Sequence, residues 1–352
     1  MNDSIRRYKR EKTMHGLAGM IFLCALCAML IFTVGLGAMD ISLDTVWHIL
    51  FAKLTGNERL LAGIKPNVIS VIWDIRLPRI ICGICVGMGL SIAGTIFQSL
   101  LQNPLADPYT LGVSSGAAFG ASLAIFMNIM YGIIVPVPLL AFAFAFITLV
   151  LVIIIADRGG GLLSSGLIIA GIIVSAVLSS GISFLKMLAG ENVSAIVFWL
   201  MGSLSSRSWG DVMLVLPAVG IAGSAAFLFS NDLNIMTAGD KNAEALGVNT
   251  KRLRLLYLIL GSCITAACVS VCGIIGFIGL VVPHMLRFWF TPDNRVLIPL
   301  SALTGGMLLC IADNGTRLLT PGEIPVGVLT TLIGGPFFIY IFAKRQKGLQ
   351  YE

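Results

Sequence analysis

Residues 76–116 read RLPRIICGICVGMGLSIAGTIFQSLLQNPLADPYTLGVSSG, and this stretch decides the fold class. Between Ile80 and Leu101 it holds no charged side chain. Such a run is long enough to cross the roughly 30 Å apolar core of a bilayer as a helix, which needs about 20 residues. Glycines at 83, 87, 89 and 94, then at 112, 116 and 120, form strips on which a neighbouring helix can pack closely. Pro104 and Pro108, four apart, forbid a continuous helix and predict a shaped turn before the next span.

The rest of the chain repeats this pattern. Apolar runs predict spans at Leu17–Ala38, Ile80–Leu101, Thr110–Tyr131, Ile133–Ala156, Leu162–Leu185, Val212–Phe229, Leu255–Cys272, Ile274–Phe290, Val296–Ile311 and Ile324–Phe342. Val193–Met201 is too short to cross and is expected at an interface. Run length favours helices; a barrel strand would be about half as long and alternate in polarity. The expected fold is an all-α membrane protein of about ten transmembrane helices, with residues 1–352 forming one membrane domain.

Composition agrees. Only 11% of the 352 residues are charged and 57% are hydrophobic, against roughly 25% charged in a soluble domain. Too few charges remain to clothe a water-facing surface. The net charge of +6 sits in short clusters between apolar runs, which argues for membrane orientation and against nucleic acid. With the N-terminus inside, fifteen of the 23 basic residues fall on the cytoplasmic side, so both termini are expected there. Residues 1–16 are then a cytoplasmic tail, and 231–254 a cytoplasmic loop in which Ala243, Leu246 and Val248 predict one or two short amphipathic helices. Basic residues before Leu17 imitate a signal peptide, but the run that follows exceeds the usual 7–15 residues and reads as a retained span.

Chemistry-bearing residues are sparse. Cys24/Cys27 and Cys82/Cys85 match C-x-x-C, yet all eight cysteines lie in or beside apolar runs and read as small packing residues. His15, His48 and His284 are scattered over three regions and converge on no metal or catalytic site. No catalytic residue, metal ligand or cofactor is expected. Apart from His284 the spans carry essentially no ionisable group, which disfavours the alternative of an ion-coupled secondary transporter. No G-x-x-x-x-G-K-[ST] phosphate loop is present, so ATP binding of that kind would have to come from another chain.

RLPR, GxxLSIAGxxFQ and NPLADPxxLGVSSGA, followed by EALGV, GFIGLVVPHMLR, ADNGTR and EIPVGVLTTLIGGPFF, resemble the FecCD family of permeases. The match runs from Arg76 to near the C-terminus. The resemblance implies a type II importer permease fold of the bacterial or archaeal cytoplasmic membrane. It implies ATP-driven import of iron–siderophore, haem or cobalamin. The partners implied are a second permease subunit, a dimer of ATP-binding subunits and an extracytoplasmic binding protein.

The same resemblance assigns residue roles, each with a plainer alternative. Arg76, Arg79 and Arg317 match positions that dock the binding protein, a task suited to bidentate guanidinium groups; helix-end anchoring is the alternative. Asn103, Leu105, Ser164 and Ser165 match a cytoplasmic gate, or else cap helices. Gly239, Asp240, Ala243, Glu244, Leu246 and Gly247 match the segment that engages the ATPase.

Overall fold

The computed structural model describes residues 2–37, 39, 41–159, 161–319 and 324–349, with the side chains of 2–12, 319 and 340–349 excepted. Among the described residues helices are joined by turns and irregular segments, with no strand. Among the described residues eight helices are long and apolar enough to cross a membrane, and two shorter apolar helices, Ile278–Trp289 and Val326–Ile339, accompany them. The ten expected spans are therefore eight full-length helices and two short ones.

The chain opens with α1 (Asn2–Gly35), so the residues expected as a tail belong, from Asn2, to one long helix. Ala38, the expected end of this span, lies outside the described residues. A segment without an expected span follows. It contains α2 (Leu43–Thr55), capped by the Ser42 hydroxyl accepting from the Thr45 N–H and closed by left-handed Gly56. Next, α3 (Pro66–Ser70) passes through a π-helical turn at Val71–Arg76 into α4 (Leu77–Leu100).

Helix α4 is the axis of the bundle, and almost every residue in it is buried. Around it pack α9 (Trp209–Leu228), α12 (Thr250–Cys272), α13 (Ile278–Trp289) and α14 (Asn294–Leu319). Its glycines make this possible on several sides at once. A Cβ at Gly87 would lie 2.3 Å from the Gly305 carbonyl oxygen, and one at Gly94 would lie 1.8 Å from that of Gly279. Cys82 and Cys85 are buried packing residues of this helix.

A second group joins α5 (Val113–Tyr131), α6 (Val137–Arg158) and α7 (Ser164–Ala189). Gly116 and Gly120 lie against the Phe144 and Leu140 carbonyls of α6, as a small-residue strip should. The expected interfacial piece is α8 (Val193–Leu200), separated from α7 by a 3₁₀ turn at Gly190–Asn192. The expected loop helices are α10 (Ser230–Thr237) and α11 (Asp240–Ala245). The last helix is α15 (Val326–Leu349).

Helix α5 starts three residues later than its apolar run predicts. Asp107 accepts hydrogen bonds from the Tyr109 N–H and the Thr110 hydroxyl, and Gly112 turns left-handed at φ 75°. Apolarity sets the run; local turn chemistry sets where the helix begins.

Candidate functional site

The two ends of the bundle differ. One carries the 237–250 loop, and the other gathers Arg76, Arg79 and Arg317. Between them the chain breaks helix at several places that come together.

At the arginine end Arg76 and Arg317 converge on the end of α1, while Arg79 turns to α14. Arg76 donates to the carbonyls of Val34 (3.0 Å), Gly35 (2.9 Å) and Met39 (2.7 Å). Arg317 donates to Leu36 O at 2.8 Å. A Cβ on Gly37 would meet Arg76 Nη2 at 2.5 Å and Arg317 Nη2 at 2.9 Å, so a larger residue there would push the guanidinium groups aside. Arg79 holds Asp313 in a fork, Nε to Oδ2 at 2.9 Å and Nη2 to Oδ1 at 2.9 Å. Arg76 and Arg79 are buried, while Arg317 is half-buried. All three have partners within the chain, and the first two satisfy carbonyls and a carboxylate that burial would otherwise leave costly. Asp313 was not picked out beforehand. Its signal was available: it is the carboxylate four residues before Arg317, directly beyond an apolar run.

The residues expected to form the gate and the coupling segment lie toward the loop end. Gln102, left-handed at φ 50°, donates from its amide to the Met236 carbonyl of α10 at 3.0 Å. Asn103 Oδ1 accepts from the Leu105 N–H at 2.9 Å, leaving the Leu105 side chain exposed. Ser164 and Ser165 sit inside the first turn of α7, whose cap residue is Leu163, so neither serine is the cap. Among the described residues no hydrogen bond joins Asn103 or Leu105 to Ser164 or Ser165.

The six coupling residues divide into two groups. Asp240 accepts two bonds from Arg254 Nη2, at 2.7 and 2.9 Å, and Arg254 Nη1 reaches the Leu162 carbonyl at 2.6 Å. Ala243 is fully buried, and Glu244 accepts from the Thr250 hydroxyl at 2.8 Å. These three hold the loop to the bundle. Leu246 is 70% exposed, between left-handed Gly239 and Gly247. It borders a cleft of about 420 Å³ lined by Ile235, Val248, Leu253 and Leu256. Asp232, Asn249 and Arg252 line the same cleft, so its wall is mixed apolar and charged.

The broken helices meet beside α8. Gly202 (φ 68°) and Gly273 (φ 73°) face each other across the Met201–Ser208 turn and the Gly273–Phe277 break. A Cβ on Gly202 would lie 2.2 Å from Ile274 O, and one on Gly273 would lie 2.3 Å from Trp199 O. Ser203 N donates to Cys272 O at 2.8 Å, and Gly327 N to Gly202 O at 3.1 Å. The Tyr109 hydroxyl closes the set, donating to Ile275 O at 2.7 Å and accepting from Ile275 N at 3.2 Å. Irregular backbone at membrane depth persists only where protein or an aqueous cavity satisfies it. Helices interrupted in this way mark transport sites in other folds. The sequence reading singled out Pro104 and Pro108 but did not foresee that their turn reaches the 273–277 break.

Titratable groups inside the bundle are also more numerous than the sequence spans implied. Asp313 lies in α14, and Arg287 of α13 donates to Gln98 Oε1 and to Ser99 Oγ. His284 stands edge-on to Phe338, tying α13 to α15.

Comparison with known proteins matches this architecture. The FecCD transport family model covers residues 24–344. The ABC transporter permease protein YvrB of Bacillus subtilis is 38% identical, over 92% of this chain and 92% of its own length. The cobalamin import system permease protein BtuC of Halobacterium salinarum is 40% identical, over 81% of this chain and 76% of its own. The molybdate import system permease protein MolB of Haemophilus influenzae is 34% identical, over 94% and 96%. A solved inward-facing structure of a metal-chelate type ABC transporter superposes with a TM-score of 0.80 at 32% identity, covering 93% of this chain and 98% of that one. With ten apolar helices among the described residues, α4 at their centre, broken helices at their meeting point and this likeness over nearly its whole length, the chain is an ABC importer permease of the FecCD transport family.

Proposed function

We propose that this permease carries a large metal chelate of the iron–siderophore class into the cytoplasm. An extracytoplasmic binding protein delivers the chelate, a second permease subunit completes the pathway, and separate ATP-binding subunits drive it. The observation that carries this reading is the set of broken helices beside α8, together with the likeness to a metal-chelate type transporter. Relatives named for cobalamin and molybdate make those cargoes the comparison set. Docking of the binding protein belongs to the arginine end, where three guanidinium groups lie close together. Coupling to the ATPase belongs to the Gly239–Gly247 segment, through Leu246.

The test is ATP-driven uptake by the assembled importer in liposomes, with iron–siderophore, haem, cobalamin and molybdate offered in turn. Uptake of the siderophore alone supports the cargo assignment, and uptake of another cargo alone overturns it. In the same assay Leu246→Glu, which puts a charge where an apolar contact is expected, should leave insertion normal and cut transport per ATP at least about tenfold. That loss is equivalent to about 1.4 kcal/mol of interface contact. Wild-type coupling in Leu246→Glu removes this residue from the contact.

In this reading both termini and the 237–250 loop are cytoplasmic. With native cysteines replaced, an impermeant thiol reagent on intact cells should label Arg59→Cys and miss Lys241→Cys. The opposite pattern inverts the orientation and with it every partner assignment.

A further inference from the structure

We propose that the cleft between α8 and the Ser203–Arg207 turn binds the acidic groups of the cargo, so that this permease favours carboxylate-bearing, negatively charged chelates. This rests on the reading of the chain as a metal-chelate permease and names the substrate class within it.

The cleft has a volume of about 650 Å³, within the size range of small-molecule sites. It lies at the arginine end, lined by the end of α5, the start of α6, α8 and the end of α12. Its walls are apolar and aromatic, with Phe198 and Trp199 prominent, and its polar lining is four serines and Arg207. No carboxylate lines it.

Arg207 is held in place by backbone. Its Nε donates to Ser205 O at 3.1 Å, and its Nη1 donates to Val271 O across the break after α12. A guanidinium carries five N–H donors, so those two bonds leave three for a ligand. Among the described residues no carboxylate pairs with Arg207, in contrast to Arg79 and Arg254, which each hold one. Ser206, immediately before it, is left-handed at φ 59°, a conformation L-residues adopt sparingly. The turn is thus bent to present Arg207 beside the hydroxyls of Ser194, Ser203, Ser205 and Ser206. A fixed cation, several hydroxyls and aromatic walls form a site for an anion carried on an apolar body.

The test is equilibrium binding to the importer assembled with its ATPase subunit in lipid nanodiscs, comparing ferric citrate with a neutral ferric trihydroxamate. The wild type should bind ferric citrate about tenfold more tightly, as one charge-assisted bond allows. Arg207→Gln should remove the preference and Arg207→Lys should keep part of it. Because Arg207 also ties down Ser205 and Val271, a second variant guards against misfolding. Ser194→Asp places a carboxylate in the cleft without touching those bonds, and it should remove the preference by weakening ferric citrate binding. Equal binding of both ligands by the wild type overturns the proposal, as does a preference that survives both Arg207→Gln and Ser194→Asp. No ATP-driven step enters this readout, so failure of iron-chelate uptake would sink the cargo assignment while leaving the anion site standing.

Discussion

Arg79→Ala is expected to destabilise the protein by about 3–5 kcal/mol, the usual cost of leaving one member of a buried ion pair without its partner. The pair qualifies: the side chains of Arg79 and Asp313 are 10% and 4% exposed, and the bond is a two-pronged fork between α4 and α14. Asp313→Ala should cost a comparable amount. Replacing both together, as Arg79→Met with Asp313→Leu, should recover most of the loss, because no unpaired charge then remains buried. Thermal unfolding in one detergent, followed by a fluorescence or scattering probe, measures all four proteins. A small effect in both single variants would mean that water reaches the pair. The geometry also changes how docking should be tested. A charge reversal at Arg79 would break the fold's own ion pair, so weakened binding-protein association would have two causes. Arg317→Glu is the cleaner variant, since Arg317 is only half-buried, whereas Arg79 is buried in an ion pair.

Gly94→Val should be more damaging still and leave little assembled protein. The first added carbon would lie 1.8 Å from the Gly279 carbonyl oxygen, a backbone atom that cannot rotate away. On the other side of the contact, a Cβ at Gly279 would lie 2.6 Å from Leu90 O, so the two helices touch backbone to backbone. Overpacking a core typically costs about 1–3 kcal/mol even when side chains can yield. Here only a shift of α13 relieves the clash, and that shift would drag Gln98, which bonds to Leu280 O at 3.0 Å. Gly220→Ala is the control, because nothing lies within 4 Å of a Cβ there. It should stay within about 0.5 kcal/mol of wild type. Size-exclusion profiles of the solubilised proteins distinguish the two, and a monodisperse Gly94→Val of normal yield would refute the contact.

Much of this protein was legible before any coordinate. Apolar run length fixed the helices from α4 onward, because lipid cannot satisfy a bare backbone and leaves helix as the only way across for a run of that kind. The ordered motifs from Arg76 onward carried the family. The polar loop after α9 read as one or two short helices around Ala243, Leu246 and Val248; Ala243 lies in α11, Leu246 and Val248 lie beyond its end, and α10 precedes them. Residues 39–75 yielded no element, and α2 and α3 lie there. Their apolar faces are divided among protein, water and whatever covers Trp47 and Phe51, so no single period stands out.

The sequence by itself determined that this chain crosses a membrane many times, which family it resembles and which residue types sit at each end. Those properties are local: each is decided by the solvent preference of a run or by the order of a motif. Only the tertiary structure decided what the charged residues do. Arg76, Arg79 and Arg317 look alike in sequence, yet one binds three carbonyls, one a carboxylate 234 residues away, and one a carbonyl 281 residues away. Arg207 is tied to two backbone carbonyls, and among the described residues no carboxylate pairs with it. A charge's role is set by what long-range packing places within a few ångströms of it, and spacing along the chain carries no record of that.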